Sequence, residues 1–120
     1  MAVVVLDAGH GGSDLGATYQ GRQEKDDTLA LTLAVGRLLA EDPDIDVVYT
    51  RETDVYDTPL VKARKANAAN ADYFVSIHRN STPVPSTYSG VETLVYSKGT
   101  LAETLARNIA SALSAIGFAD

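Results

Sequence analysis

Residues 3–12 read Val-Val-Val-Leu-Asp-Ala-Gly-His-Gly-Gly. Val3–Leu6 is a short apolar run rich in β-branched side chains, and no polar residue interrupts it. Such a run predicts a strand covered on both faces. Asp7-Ala8-Gly9-His10-Gly11-Gly12 ends it in a glycine-rich turn. A fully covered strand that opens into such a turn sets the class of the whole fold.

The rest of the chain alternates around that strand. Residues 11–24 are polar and carry Gly11, Gly12, Gly16 and Gly21, a long loop of the kind that carries function. A helix is predicted from about Asp26 to Glu41. Leu31, Val35, Leu38 and Leu39 mark its face, Leu29 and Leu33 widen it, and Asp26 and Asp27 suit its positive end. Asp42-Pro43-Asp44 breaks it, and Val47–Thr50 is the next strand. Pro59 fits a first helical position, so a helix follows over Leu60–Asn70. Tyr73–His78 is a third strand and Val91–Tyr96 a fourth, separated by a loop holding Pro83 and Pro85. Leu101, Leu105, Ile109, Leu113 and Ile116 form an i, i+4 stripe, an amphipathic helix that stops at Gly117. The expected class is α/β, a three-layer arrangement with a mostly parallel sheet and helices on both faces, in one domain spanning residues 1–120.

Composition narrows the chemistry. Hydrophobic residues are 45% and charged residues 22% of the 120, which excludes a disordered chain. No apolar run approaches the ~18 residues of a membrane span. Ten Lys and Arg against sixteen Asp and Glu leave a net charge of −6. With no Lys/Arg cluster, nucleic acid is not expected as a partner. The absence of Cys excludes disulfides, thiolate metal sites and Cys nucleophiles. The first residues lack a basic segment, so no signal peptide is legible.

The two histidines of the chain fall at predicted strand ends. His10 follows the first strand and His78 closes the third. Glu24 stands at the close of the long loop, before the first helix. Parallel strands bring both imidazoles to one sheet edge, where chemistry in open α/β sheets collects. Two His and one carboxylate around an open position make a catalytic zinc set. Taken singly, each has a plainer role: a structural strand-end histidine, a tight turn, a helix-start carboxylate.

Val4–Gly12, Glu24-Lys25-Asp26, Thr50-Arg51-Glu52-Thr53-Asp54, Arg64-Lys65-Ala66-Asn67 with Ala71-Asp72, Ser76–Ser81 and Ser89–Thr93 together resemble the successive motifs of zinc-dependent N-acetylmuramoyl-L-alanine amidases. The resemblance runs over nearly the whole chain. It implies cleavage of the amide between muramic acid and the first L-alanine of the peptidoglycan stem, with Zn2+ held by His10, Glu24 and His78. Zinc lowers the pKa of its bound water to about 7. It also implies work outside the cytoplasm, in the periplasm or cell wall, or as a phage lysin released at lysis.

The family's general base is a glutamate on a late strand. That segment is expected beyond Asp120, so the resemblance implies a catalytic domain lacking its C-terminal part, with Glu92 the weaker candidate inside the chain. A zinc-retaining, non-catalytic wall-binding or regulatory relative is the second reading. Arg79 stands where the family has a small residue; it is a candidate contact for a substrate carboxylate, a plug of part of the cleft, or a salt-bridge partner turned away from it. Asn80 is expected to stabilise the loop after His78 and is a candidate substrate contact. Asp7 is expected either to orient a ligand histidine or to cap the following turn. Arg51 is expected to pair with Asp54 or Asp7, or else with a stem-peptide carboxylate.

Overall fold

Strand β1 (Ala2–Ala8) lies between two parallel neighbours. The structure, a computed structural model, describes residues 2–78 and 101–115. These belong to two units, residues 1–80 and 81–120. In the first unit the order is β1, β2 (Thr18–Tyr19), β3 (Arg22–Gln23), α1 (Glu24–Leu39), β4 (Ile45–Tyr49), α2 (Pro59–Ala68) and β5 (Tyr73–Ile77). The sheet order is β4-β1-β5 and both pairings are parallel. The second unit contributes α3 (Leu101–Ala115), where Ala110 is buried and Leu105 and Ile109 are half-buried. The expected strand Val91–Tyr96 lies outside the described residues.

Pairing sets the two faces of the sheet, because partners in register point the same way. Leu6 pairs with Tyr49, and Asp7 pairs with Ser76. Helix α1 meets the Leu6 face: Gly36 lies so close to the Tyr49 hydroxyl that a Cβ there would come within 1.9 Å of it. Helix α2 meets the Asp7 face through Lys62, whose Nζ is 2.9 Å from Asp7 Oδ1. One helix on each face gives the expected three-layer α/β arrangement. Val5 and Leu6 are fully buried between the layers.

The helix ends follow from their residues. Pro59 opens α2, and the Thr58 hydroxyl caps it by accepting from the Val61 N–H at 3.3 Å. The helix closes with Asn70 in the left-handed region (φ 53°) and Ala71 N–H on the Ala66 carbonyl, a Schellman closure. Asp72 then ties β5 to β1, since its carboxylate accepts from Val3 N–H at 2.7 Å and its N–H donates to the Val3 carbonyl at 2.8 Å.

Helix α1 differs from the sequence expectation in the face it buries. Its buried row is Thr28, Thr32 and Gly36, an i, i+4 line of small residues. Leu31 is 54% and Leu38 67% exposed, while Leu29, Leu33, Val35 and Leu39 are half-buried at the flanks. Small side chains let the helix axis approach Tyr49 closely, and the leucines straddle the contact. The helix also starts two residues early. Glu24 N–H donates to the Ala17 carbonyl and Lys25 N–H to the Leu15 carbonyl, so the folded loop satisfies two end donors. The β2–β3 hairpin inside that loop was not anticipated. Its turn residues Gln20 and Gly21 both have positive φ, 49° and 81°, the type I′ geometry that suits a two-residue hairpin.

Thr32 is fully buried, and its Oγ1 has no hydrogen-bond partner among the described residues. Thr32→Val keeps the shape and removes an unpaired hydroxyl, so it should stabilise the fold by about 1 kcal/mol. Urea unfolding of the two proteins checks this, and a less stable variant would mean that the hydroxyl is bonded.

Candidate metal centre

The ends of β1 and β5 lie side by side. Ala8 pairs with Ile77, and Gly9 N–H donates to the Ile77 carbonyl at 2.9 Å. His10 and His78 therefore leave neighbouring strands at one edge. His10 has φ 66°, a left-handed conformation uncommon for a residue with a side chain and frequent at functional turns. Gly16 (φ +68°) lets the loop cross over this turn: a Cβ there would sit 2.6 Å from the His10 ring and 2.8 Å from Glu24 Cβ.

Glu24 enters from the first turn of α1 and is 3% exposed. Its Oε1 accepts from Ala17 N–H at 3.0 Å, which turns Oε2 toward the histidines. His10 Nε2 is 3.1 Å and His78 Nδ1 3.3 Å from Oε2. The two ring nitrogens are 3.3 Å apart, and the rings meet edge to face at 89°. Three donor atoms thus form a nearly equilateral triangle. Zinc–ligand bonds of 2.0–2.2 Å in a tetrahedron place the ligand atoms roughly 3.3–3.6 Å apart. The residues present fit a metal ion. The side chain of His78 is 45% exposed while that of Glu24 is 4%, so the triangle is closed behind the carboxylate and open toward the solvent side.

Asp14 was not singled out in the sequence, yet it holds His10. Its Oδ2 is 2.9 Å from His10 Nδ1, and its Oδ1 accepts from Gly16 N–H at 3.2 Å. A carboxylate only accepts, so Nδ1 is the protonated nitrogen and Nε2 keeps its lone pair for the triangle. The hydrogen bond with His10 holds the Asp14 carboxyl below its ordinary value of 3.8. The legible signal is an Asp four residues after a His inside a glycine-rich loop.

Asp7 neither orients a histidine nor caps the turn. It accepts from Thr50 Oγ1 at 2.7 Å and Ser76 Oγ at 2.6 Å and pairs with Lys62. Burial pushes its carboxyl up, and the Ser76, Lys62 and Thr50 contacts outweigh burial, leaving it below 3.8. Arg51 also departs from expectation. Asp54 pairs with Lys25 at 2.7 Å, and the Arg51 guanidinium goes to backbone carbonyls instead. Arg79, Asn80 and Glu92 lie outside the described residues. Beside the triangle opens a cleft of about 560 Å³ lined by His10, Asp14, Tyr56, Lys62, Phe74 and His78, among others.

A family model described as N-acetylmuramoyl-L-alanine amidase matches residues 4–118. The chain belongs to this family. It is 48% identical over 81 residues to the endolysin of Bacillus phage SPP1, covering 68% of this chain and 30% of the endolysin. It is 40% identical over 82 residues to the sporulation-specific N-acetylmuramoyl-L-alanine amidase of Bacillus subtilis, covering 68% of this chain and 32% of that protein. The chain thus spans about a third of these relatives. Among solved structures, the catalytic domain of the amidase CwlV from Bacillus (Paenibacillus) polymyxa var. colistinus superimposes with a TM-score of 0.82 at 35% identity, over 93% of this chain and 64% of that one. AmiC2 of Nostoc punctiforme gives 0.80 at 34% identity, over 88% and 57%. Among the described residues no helix is long and apolar enough to cross a membrane.

The state of Asp7 makes stability pH-dependent. Its pKa is lower in the fold than in the open chain, so its contribution is complete above 3.8 and is lost as pH falls through the folded value. Asp7→Asn also leaves Lys62 without its partner carboxylate and should cost about 3 kcal/mol at pH 7. The stability gap between the two proteins should narrow steadily below pH 4. A gap that stays constant down to pH 2.5 would contradict the assignment.

Proposed function

We propose that the chain is a zinc-dependent peptidoglycan amidase module. It cleaves the amide between N-acetylmuramic acid and the L-alanine of the stem peptide, with His10, Glu24 and His78 holding the ion. The observation that carries this reading is the triangle of two imidazole nitrogens and one carboxylate oxygen at 3.1–3.3 Å, found in a chain of this family. Zinc bound there supplies a Lewis acid for the scissile carbonyl and an acidified water.

The chain's own residues shape the rest. Asp14 fixes the His10 tautomer. Glu24 brings one negative charge to the ion while its second oxygen stays on Ala17 N–H. The open side at His78 faces the cleft that admits substrate. Arg79 and Asn80 directly follow His78 in the chain and are proposed substrate contacts. The work site is the cell wall, reached by export or by release at lysis.

Purified cell walls incubated with the zinc-loaded chain test the reading. Each cleavage adds one water across the amide, giving a free lactyl carboxyl and a free L-alanine amino group. New N-terminal alanine should appear, and a chelator or His78→Ala should abolish it. Release of reducing sugar, or of an amino terminus other than alanine, would overturn the bond assignment. Zinc uptake with no cleavage would favour a module without its general base, or a non-catalytic wall-binding relative. If cleavage is seen, Glu92→Gln tests whether the base lies at that position.

A further inference from the structure

Arg51 is 4% exposed, and every hydrogen bond it makes among the described residues ends on a carbonyl or hydroxyl oxygen. Nε donates to the Ala8 carbonyl at 3.2 Å and Nη1 to the Thr53 carbonyl at 3.0 Å. Nη2 donates to the Gly9 carbonyl at 3.1 Å, the Lys25 carbonyl at 3.0 Å and Thr28 Oγ1 at 3.3 Å. Gly9 directly precedes His10, and Lys25 directly follows Glu24. One guanidinium nitrogen therefore bridges the carbonyls of the residues next to two members of the triangle.

The rest of the same loop repeats the pattern. Asp54 accepts from Gly12 N–H at 2.8 Å and pairs with Lys25 Nζ, which also donates to the Gly12 carbonyl. Gly12 lies two residues after His10, and Lys25 again adjoins Glu24. Thr28 closes the ring by donating to the Gly9 carbonyl at 2.7 Å. Burying a guanidinium near the N-terminus of a helix is unfavourable, because the helix end carries partial positive charge. The carbonyls aimed at Arg51 compensate for this, and their positions are those that hold the His10 turn against the start of α1.

We propose that Arg51 and Asp54 form a clamp that sets the distance between His10 and Glu24, with Arg51 as a positioning residue for the metal triangle. The planar fork suits this task. Five donors in fixed directions reach several carbonyls at once, and a lysine ammonium cannot reproduce that spread. The proposal rests on the zinc reading above.

The test measures Zn2+ affinity by chelator competition and the visible spectrum of the Co2+-loaded full chain, which reports coordination geometry. The proteins are the parent, Arg51→Lys, Asp54→Ala, and Leu39→Ala as a control at the far end of α1. All are compared under conditions where circular dichroism shows them folded. Arg51→Lys should weaken Zn2+ binding about tenfold or more and change the Co2+ spectrum. Asp54→Ala should weaken binding less, and Leu39→Ala should lower stability with affinity and spectrum unchanged. Should Arg51→Lys fail to fold, Asp54→Ala decides, since Asp54 is exposed and its loss spares the core. Clamp variants with parental affinity and spectrum overturn the proposal and leave the zinc reading intact. A parent chain that binds no Zn2+ overturns both.

Discussion

Parallel pairing of Ala8 with Ile77 sets where two chain segments leave the sheet, and the site depends on it. Parallel strands end at the same edge, so the next residues of both, Gly9-His10 and His78, meet there. A one-residue slip in that register would turn every β5 side chain to the opposite face and separate the imidazoles. Asp72 on the Val3 backbone and Ser76 on Asp7 fix the register at opposite ends of the pair. The buried carboxylate of Glu24 then needs only the loop crossing at Gly16 to join the histidines.

The distribution of charge around that edge is unlike the net charge. The chain carries −6 overall, yet three cations are drawn inward close to the site. Lys62 neutralises Asp7 beneath the cleft, Lys25 neutralises Asp54 at the loop, and Arg51 serves backbone oxygens. Two of these contacts join α2 or α1 to the strand ends, so the same interactions that stabilise the layers also hold the site residues in place. The polar floor of Asp7, Thr50 and Ser76 links all three strands at their carboxyl ends, and these hydrogen bonds involve neither histidine.

Much of this was legible in the sequence, and the gaps have physical reasons. The β-branched run before Asp7 announced the central strand, Pro59 announced the start of α2, and the two histidines and Glu24 could be placed at one edge from strand order alone. The buried face of α1 could not be read, because an i, i+4 row of Thr28, Thr32 and Gly36 is invisible to a pattern of apolar side chains. Hydrophobicity marked the leucines, while closeness of approach selected the small residues. Arg51 and Asp7 were misassigned for a different reason. Nearly all their partners lie more than twenty residues away in the chain, and charge complementarity along a sequence does not reveal a cation bound to carbonyls. Asp14 was the nearer miss, since its four-residue spacing from His10 was in view.

The central claim is that His10, Glu24 and His78 act as one metal site. Zinc content of the full chain after exhaustive dialysis, measured beside its intact mass, tests it most directly. The account predicts one zinc per chain, and close to none in Glu24→Ala and His78→Ala proteins that keep the parental circular dichroism. A parent chain without zinc at neutral pH, or zinc retained after loss of two of the three residues, would contradict it.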